Sequence, residues 1–139
     1  MSMEKLADHI ISVAQDNKKS ISNLQLQKIM YFVIKEAKEE ELLNTEELEA
    51  LYDEPFLVWA YGPVVKSQYE RFKGFGSSPI IGTFQKSPNL EKINNVIKDY
   101  LTWTVSSLIK ESHKVRFWEE NEDKIVGFRS EVEYKLGDI

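Results

Sequence analysis

Trp59-Ala60-Tyr61-Gly62-Pro63-Val64 is the most informative stretch of this 139-residue chain. Its first three residues end an apolar run, residues 56–61, that follows Pro55. A proline disfavours helical geometry in the residue before it, so the chain enters this run extended. Because the run is short and apolar, we predict a buried extended or loop segment rather than an exposed helix.

The Gly62-Pro63 step marks a boundary. Proline has a preset φ and no N–H, which suits the first position of a helix. We therefore predict a helix over residues 63–73. Glycine tolerates the turn that leads into the proline, so we expect a structural role for Gly62.

Outside this stretch, apolar residues recur mostly at helical spacing. The predicted helices cover residues 3–16, 23–40, 46–52, 63–73, 88–101 and 103–114, with Ser22 or Asn23, Thr45 and Ser87 at their starts. Ile80-Ile81 is a candidate short strand, residues 119–123 are a polar loop, and residues 131–136 form either a last helix capped by Ser130 or a strand. The pattern predicts a mainly α fold, a compact bundle of about six helices with either one short β-hairpin or isolated strands. We expect a single domain over residues 1–139.

The composition limits the classes of protein to consider. The chain is 42% hydrophobic and 29% charged, as is ordinary for a globular protein. The absence of cysteine excludes disulfides, thiolate metal sites and cysteine nucleophiles. The first residues contain no apolar segment of a secretory signal, and no apolar run approaches the ~20 residues that span a bilayer. We expect a cytoplasmic protein with no membrane segment.

The net charge of −5 is unevenly distributed. Nine acidic residues lie between Glu36 and Glu54, with Lys38 as the only base among them. Such a segment is either a solvated face or an acidic surface offered to a basic partner. The acidic balance argues against non-specific binding of nucleic acid.

No catalytic or metal-binding motif stands out. His9 and His113 have no partner at metal-ligand spacing, and Gly74-Phe75-Gly76 is a turn rather than a phosphate loop. We therefore predict a non-enzyme with no cofactor and no metal. The first two helices form either a plain helical hairpin or a helix-turn-helix. The second keeps a DNA-binding regulator as an alternative, in which Lys18, Lys19, Lys28 and Lys35 would contact phosphates.

Three stretches together carry a resemblance to a known family. They are Ser22-Asn23-Leu24-Gln25-Leu26-Gln27-Lys28-Ile29-Met30-Tyr31-Phe32, Trp59-Ala60-Tyr61-Gly62-Pro63-Val64-Val65 with Tyr69, and Leu108-Ile109-Lys110-Glu111-Ser112-His113 with Trp118. In this order and at these separations they resemble the Panacea domain, the SocA-like family that is also found as a phage-associated protein. The resemblance covers about residues 3–120.

The resemblance implies a protein that binds another protein. Panacea domains resemble antitoxins that neutralise a toxin encoded beside them by direct contact. One branch of the family acts as an adaptor, so the resemblance also implies a proteolysis adaptor that delivers a bound client to a protease. Neither function requires catalytic residues.

The same motifs supply the candidate site residues. The candidate partner-binding residues are Lys28, Tyr31, Tyr61, Tyr69, His113 and Trp118, and the candidate structural residues are Leu26, Trp59, Gly62, Pro63 and Val64. Lys28 either lays its stem over the core with its ammonium in water or pairs with a partner carboxylate. Amphipathic aromatic residues are enriched at binding hot spots and also fill small cores, so Tyr61 is open between the two roles.

Overall fold

The computed structural model describes residues 1–139 and has seven α-helices and one two-stranded antiparallel sheet. The elements are α1 (Met3–Asp16), α2 (Asn23–Glu39), α3 (Thr45–Leu51), β1 (Leu57–Trp59), β2 (Gly62–Val64), α4 (Lys66–Phe72), α5 (Asn94–Tyr100), α6 (Val105–Ser112) and α7 (Arg116–Asn121). Four 3₁₀ turns lie at Lys73–Phe75, Pro88–Ile93, Glu122–Lys124 and Leu136–Asp138. The predicted mainly α fold with one short hairpin is confirmed.

The central element is α2, which packs against α1, α3, α4, α5, α6 and β2. Eleven of its seventeen residues are buried, a proportion that fits a helix surrounded by protein. Its start is fixed by a reciprocal capping box between Ser22 and Gln25. A single apolar cluster of 33 buried residues surrounds it, with Leu26 among its fully buried members.

The Gly62-Pro63 step lies in a β-hairpin and does not start a helix. Trp59 pairs with Gly62, and Val58 with Pro63, across a two-residue turn. The prediction of a helix beginning at Pro63 is therefore wrong, and α4 begins three residues later, at Lys66. The physical reason is the pairing with β1, which keeps the segment extended.

The end of the chain is extended beside β1. The Val58 N–H donates to the Val132 carbonyl and the Tyr134 N–H to the Phe56 carbonyl, both at 2.9 Å. Of the two structures predicted for residues 131–136, the helix is wrong. The open side of β1 supplies backbone hydrogen bonds to these residues in an extended conformation, and a helix could not form them.

Three smaller predictions are also wrong. Residues 119–123, predicted as a polar loop, lie in α7 and the 3₁₀ turn that follows it. Ile80 is in no strand, although its N–H donates to the Ile21 carbonyl. Asn44 rather than Thr45 caps α3, because Asn44 and Glu47 form the complete capping box.

None of the seven helices is both long enough and apolar enough to cross a membrane.

Candidate protein-binding site

A solvent-facing apolar groove lies over the β-hairpin. Its volume is about 350 Å³, and its lining residues are Leu24, Trp59, Tyr61, Val64, Tyr69, Phe128 and Arg129. The start of α2, both strands, α4 and a turn near the end of the chain each contribute to it. Beneath it, Leu57, Trp59 and Val64 form a small buried cluster separate from the main core.

One wall of the groove is an exposed pair of aromatic rings. Tyr61, at the tip of the hairpin, is 52% exposed and Phe128 is 66% exposed. Their rings are nearly parallel, with an interplanar angle of 10° and centroids 6.0 Å apart. Two large aromatic side chains thus cover each other only in part and leave apolar surface in water.

The turn that carries Phe128 is tied to the hairpin. Val126 and Arg129 exchange backbone hydrogen bonds, and Gly127 between them has φ +69°. The Ala60 N–H donates to the Phe128 carbonyl at 2.9 Å. These bonds fix the aromatic pair on a rigid base, and a preorganised site loses less entropy when a partner binds.

The floor of the groove combines aromatic and cationic contacts. The ring of Trp59 meets that of Tyr69 edge to face, with centroids 5.1 Å apart. The guanidinium carbon of Arg129 lies 4.3 Å from the centre of the Trp59 ring, which is a cation–π contact. Trp59 itself is only 6% exposed, and its indole N–H is buried without a hydrogen-bond partner.

Two candidate partner-binding residues, His113 and Trp118, hold the hairpin from behind. Their rings stack with centroids 3.8 Å apart. Trp118 Nε1 donates to the Trp59 carbonyl and His113 Nε2 donates to the Ala60 carbonyl, both at 2.9 Å. Burial lowers the pKa of His113 from its ordinary value, although the hydrogen bond to Ala60 acts in the opposite direction. Trp118 is 6% exposed and lines a second cavity with His113, so it supports the hairpin, and its contact with a partner stays a prediction.

Lys28 is a fully buried ammonium at the back of β2. Its Nζ donates to the Pro63 carbonyl at 2.6 Å. Both expectations for Lys28 are wrong, since its head group reaches neither water nor a partner. Loss of solvation lowers the pKa of Lys28 from its ordinary value to about 7.

Tyr31 is likewise an interior residue. Its ring meets those of Phe32, Phe56 and Tyr134 edge to face, and no part of it is exposed. The prediction that Tyr31 contacts a partner is therefore wrong. Of the six candidates, Tyr61 and Tyr69 lie in the groove.

The three stretches that carry the Panacea resemblance meet at the hairpin. Lys28 binds Pro63, Ser112 lies against Gly62, and Trp118 binds Trp59. Pro63 and Val64 are buried there with Gly62. The motif residues are thus parts of one packed junction beneath the groove.

Gly62 sits at this junction and supports a first prediction. Its φ is +100°, and a Cβ added to it would collide with Ser112 Oγ and come within 3.3 Å of Lys28 Cε. We expect Gly62→Ala to lower the free energy of unfolding by about 2–4 kcal/mol through backbone strain and overpacking. Urea unfolding measures the change.

Gly74→Ala is the matched control. Gly74 has no left-handed φ, and no atom lies within 4 Å of a Cβ added to it. The control is expected to change the free energy of unfolding by about 0.5 kcal/mol or less. Equal effects of the two substitutions would contradict the packing described for Gly62.

The N-terminal end of α2, which a helix-turn-helix protein would use to read DNA, forms hydrogen bonds within this protein. Asn23 donates to the Tyr69 carbonyl, and Gln27 accepts from the Val65 N–H, each at 2.9 Å. Lys28 is buried and Lys35 pairs with Glu39 at 3.2 Å, while Lys18 and Lys19 are exposed. Of the four lysines expected to contact phosphates, Lys28 is excluded by burial.

A second surface feature is acidic. Six of the nine acids in the segment, Glu39, Glu40, Glu41, Glu46, Glu49 and Asp53, are exposed. The ammonium of Lys38 is bound to the carbonyls of Leu136 and Ile139 at 2.8 and 2.9 Å. Glu39 is fifteen residues after Leu24 on α2, so about 22 Å separates the acidic segment at that point from the groove.

The histidine that lies away from the groove is satisfied internally. His9 Nδ1 accepts from the Ser87 N–H at 2.9 Å, and its Nε2 donates to Asn94 Oδ1 at 2.7 Å. No three side chains of His, Asp or Glu are placed to hold a metal ion.

Comparison with known proteins gives no relative. No family model, curated protein or solved structure matches this chain. The Panacea resemblance therefore stays a hypothesis that rests on its three motifs.

Proposed function

We propose that this chain is an antitoxin-like protein-binding module that neutralises a cognate toxin by direct contact. The motif resemblance to Panacea domains supplies the expected class of partner. The groove supplies the surface. Binding covers the active or target-binding surface of the toxin, with no bond made or broken.

One observation carries the proposal, the partly exposed aromatic wall of Tyr61 and Phe128 beside an apolar groove. Large contiguous apolar patches are uncommon on the surfaces of monomeric proteins and mark sites of interaction. Tyrosine and tryptophan are enriched among the few residues that supply most of the binding energy of an interface. Val126, 85% exposed on the same turn as Phe128, extends this surface.

The acidic segment gives the proposal a second element. A basic toxin would be attracted to the exposed acids of residues 39–53 before it docks. Complementary charge mainly raises the association rate, and this effect weakens as salt increases. Added salt is therefore expected to slow association more than it speeds dissociation.

The test is growth rescue by co-expression. A small adjacent reading frame that is toxic alone is expected to be tolerated when co-expressed with this chain. The double variant Tyr61→Ala/Phe128→Ala removes both exposed rings and is expected to abolish rescue, because loss of two hot-spot residues weakens binding about 100-fold or more. Both side chains face solvent, so the thermal midpoint should change little.

Ile81→Ala is the matched control. Ile81 is 71% exposed and does not line the groove. This variant should rescue as the wild type does. No rescue by the wild-type chain, or full rescue by the double variant, would contradict the proposal.

A further inference from the structure

Arg129 is an arginine without an ionic partner. The chain has three arginines. Arg71 pairs with Asp8 at 2.7 Å and Arg116 with Glu120 at 2.6 Å, whereas no carboxylate lies within salt-bridge distance of Arg129. The groove therefore contains a guanidinium that forms no ion pair within the protein.

The position of Arg129 leaves its donors available. The guanidinium is held over the rings of Trp59 and Tyr69, at 4.3 and 5.8 Å from their centres, and the residue is exposed. A stacked guanidinium presents its N–H groups at its edge in a planar fork that matches a carboxylate. The aromatic contacts thus orient the cation without satisfying its hydrogen bonds.

The surroundings of Arg129 define the occupant. Every other residue lining the groove is hydrophobic or aromatic, so the guanidinium is its single charge. Sites that recognise phosphate groups on proteins usually have a cluster of arginines, whereas one fork pairs with one carboxylate. Because the apolar surface continues outward over Tyr61, Phe128 and Val126, a polypeptide covers it better than a small acid does.

We propose that the groove binds a segment of the partner protein in which a large apolar side chain lies within two residues of an Asp or Glu. The apolar side chain enters the groove between Trp59 and Tyr61, and the carboxylate pairs with Arg129. This inference rests on the proposed protein-binding function and specifies the recognition element of the partner.

The test uses a displayed library of random heptapeptides on the immobilised 139-residue chain. Peptides enriched on the wild type are expected to share a large apolar residue with an acid within two positions of it. Arg129→Met keeps apolar contact with Trp59 and is expected to lose the preference for the acid. Arg129→Glu is expected to replace that preference by one for Lys or Arg.

A synthetic peptide from the enriched set completes the test. Replacing its acid by the matching amide is expected to weaken binding to the wild type about tenfold and to leave binding to Arg129→Met unchanged. Arg116→Met is the matched control, since Arg116 is 91% exposed and lies outside the groove, and it should keep the wild-type preference.

The outcomes separate this inference from the proposed function. Absence of groove-dependent peptides, or enriched peptides without an acid preference, overturns the recognition element, even if growth rescue succeeds. If the acid preference is found and growth rescue fails, the recognition element stands and the toxin-neutralising function is wrong.

Discussion

Lys28→Met is expected to raise the free energy of unfolding at pH 7 and to remove most of its dependence on pH between 7 and 9. The wild-type ammonium is fully buried with one hydrogen bond, to the Pro63 carbonyl. Burial lowers the pKa of Lys28 to about 7 in the folded protein, whereas an exposed lysine has a pKa of about 10.4. Between these values the unfolded chain carries a proton that the folded chain lacks.

The sign of the pH dependence follows from this difference in bound protons. Because the unfolded state binds more protons, the wild type gains stability as pH rises, by about 1.4 kcal/mol per pH unit at most. At pH 7 nearly all of the penalty is present, about 4 kcal/mol, and it disappears above about pH 10.4. Methionine removes it but leaves the Pro63 carbonyl unpaired, which costs about 1–3 kcal/mol. The net gain expected at pH 7 is about 1–3 kcal/mol.

Urea unfolding at pH 7, 8 and 9 measures both quantities. Lys19→Met, at an exposed position, is the control and should follow the wild-type pH dependence. A wild-type free energy of unfolding that does not change over this pH range would contradict the burial of Lys28. The same pH dependence in Lys28→Met as in the wild type would also contradict it.

Trp59→Ala is expected to have the second large effect, a loss of about 3–5 kcal/mol of unfolding free energy. The ring is almost fully buried and supports both Tyr69 and Arg129. Its indole N–H has no partner, so the loss comes from packing and cavity formation rather than from a broken hydrogen bond. Tyr61→Ala, two residues away, is expected to cost about 1 kcal/mol or less because half of that side chain already faces water.

The two variants are expected to lose partner binding for different reasons. Tyr61→Ala should weaken binding of the partner while the fold remains, whereas Trp59→Ala should lose binding mainly because the fold is weakened. Thermal melts beside pull-downs distinguish the two. Equal loss of stability and binding in both variants would contradict a separate binding role for Tyr61.

The helical part of the fold was largely predictable because its signals are local. The first helix has the predicted bounds, and α2 starts at the predicted residue, Asn23, after the Ser22 cap. The hairpin was not predictable from the same reasoning. Pro63 suits either a helix start or an edge position of a sheet, and the choice depends on pairing with β1.

The site was predictable only where its residues lie in one motif. Trp59 and Tyr61 stand out as amphipathic aromatics in an apolar run, and Tyr69 follows at a fixed distance. Phe128 and Arg129 join them from 67 and 68 residues after Tyr61, with only the turn signal of Gly127 to mark them. No local pattern indicates that Arg129 is stacked and unpaired, because its neighbours come from distant parts of the chain.

Burial of a polar side chain was the other feature that the sequence did not reveal. Lys28 has apolar residues one turn away on either side, a pattern that also fits a lysine whose stem covers the core. Its burial depends on β2 and α6, which close over α2 from elsewhere in the chain. Tyr31 is similar, since the aromatic rings of Phe56 and Tyr134 that enclose it come from the β1 region and the end of the chain.

The most direct test of the central claim is a calorimetric titration of the purified adjacent gene product into this chain. We expect a saturable complex of fixed stoichiometry with the wild type, and affinity lower by about 100-fold or more with Tyr61→Ala/Phe128→Ala, whose thermal midpoint should change little. Absence of binding to the wild type, or equal affinity for the double variant, would contradict the claim that the aromatic groove is a protein-binding surface.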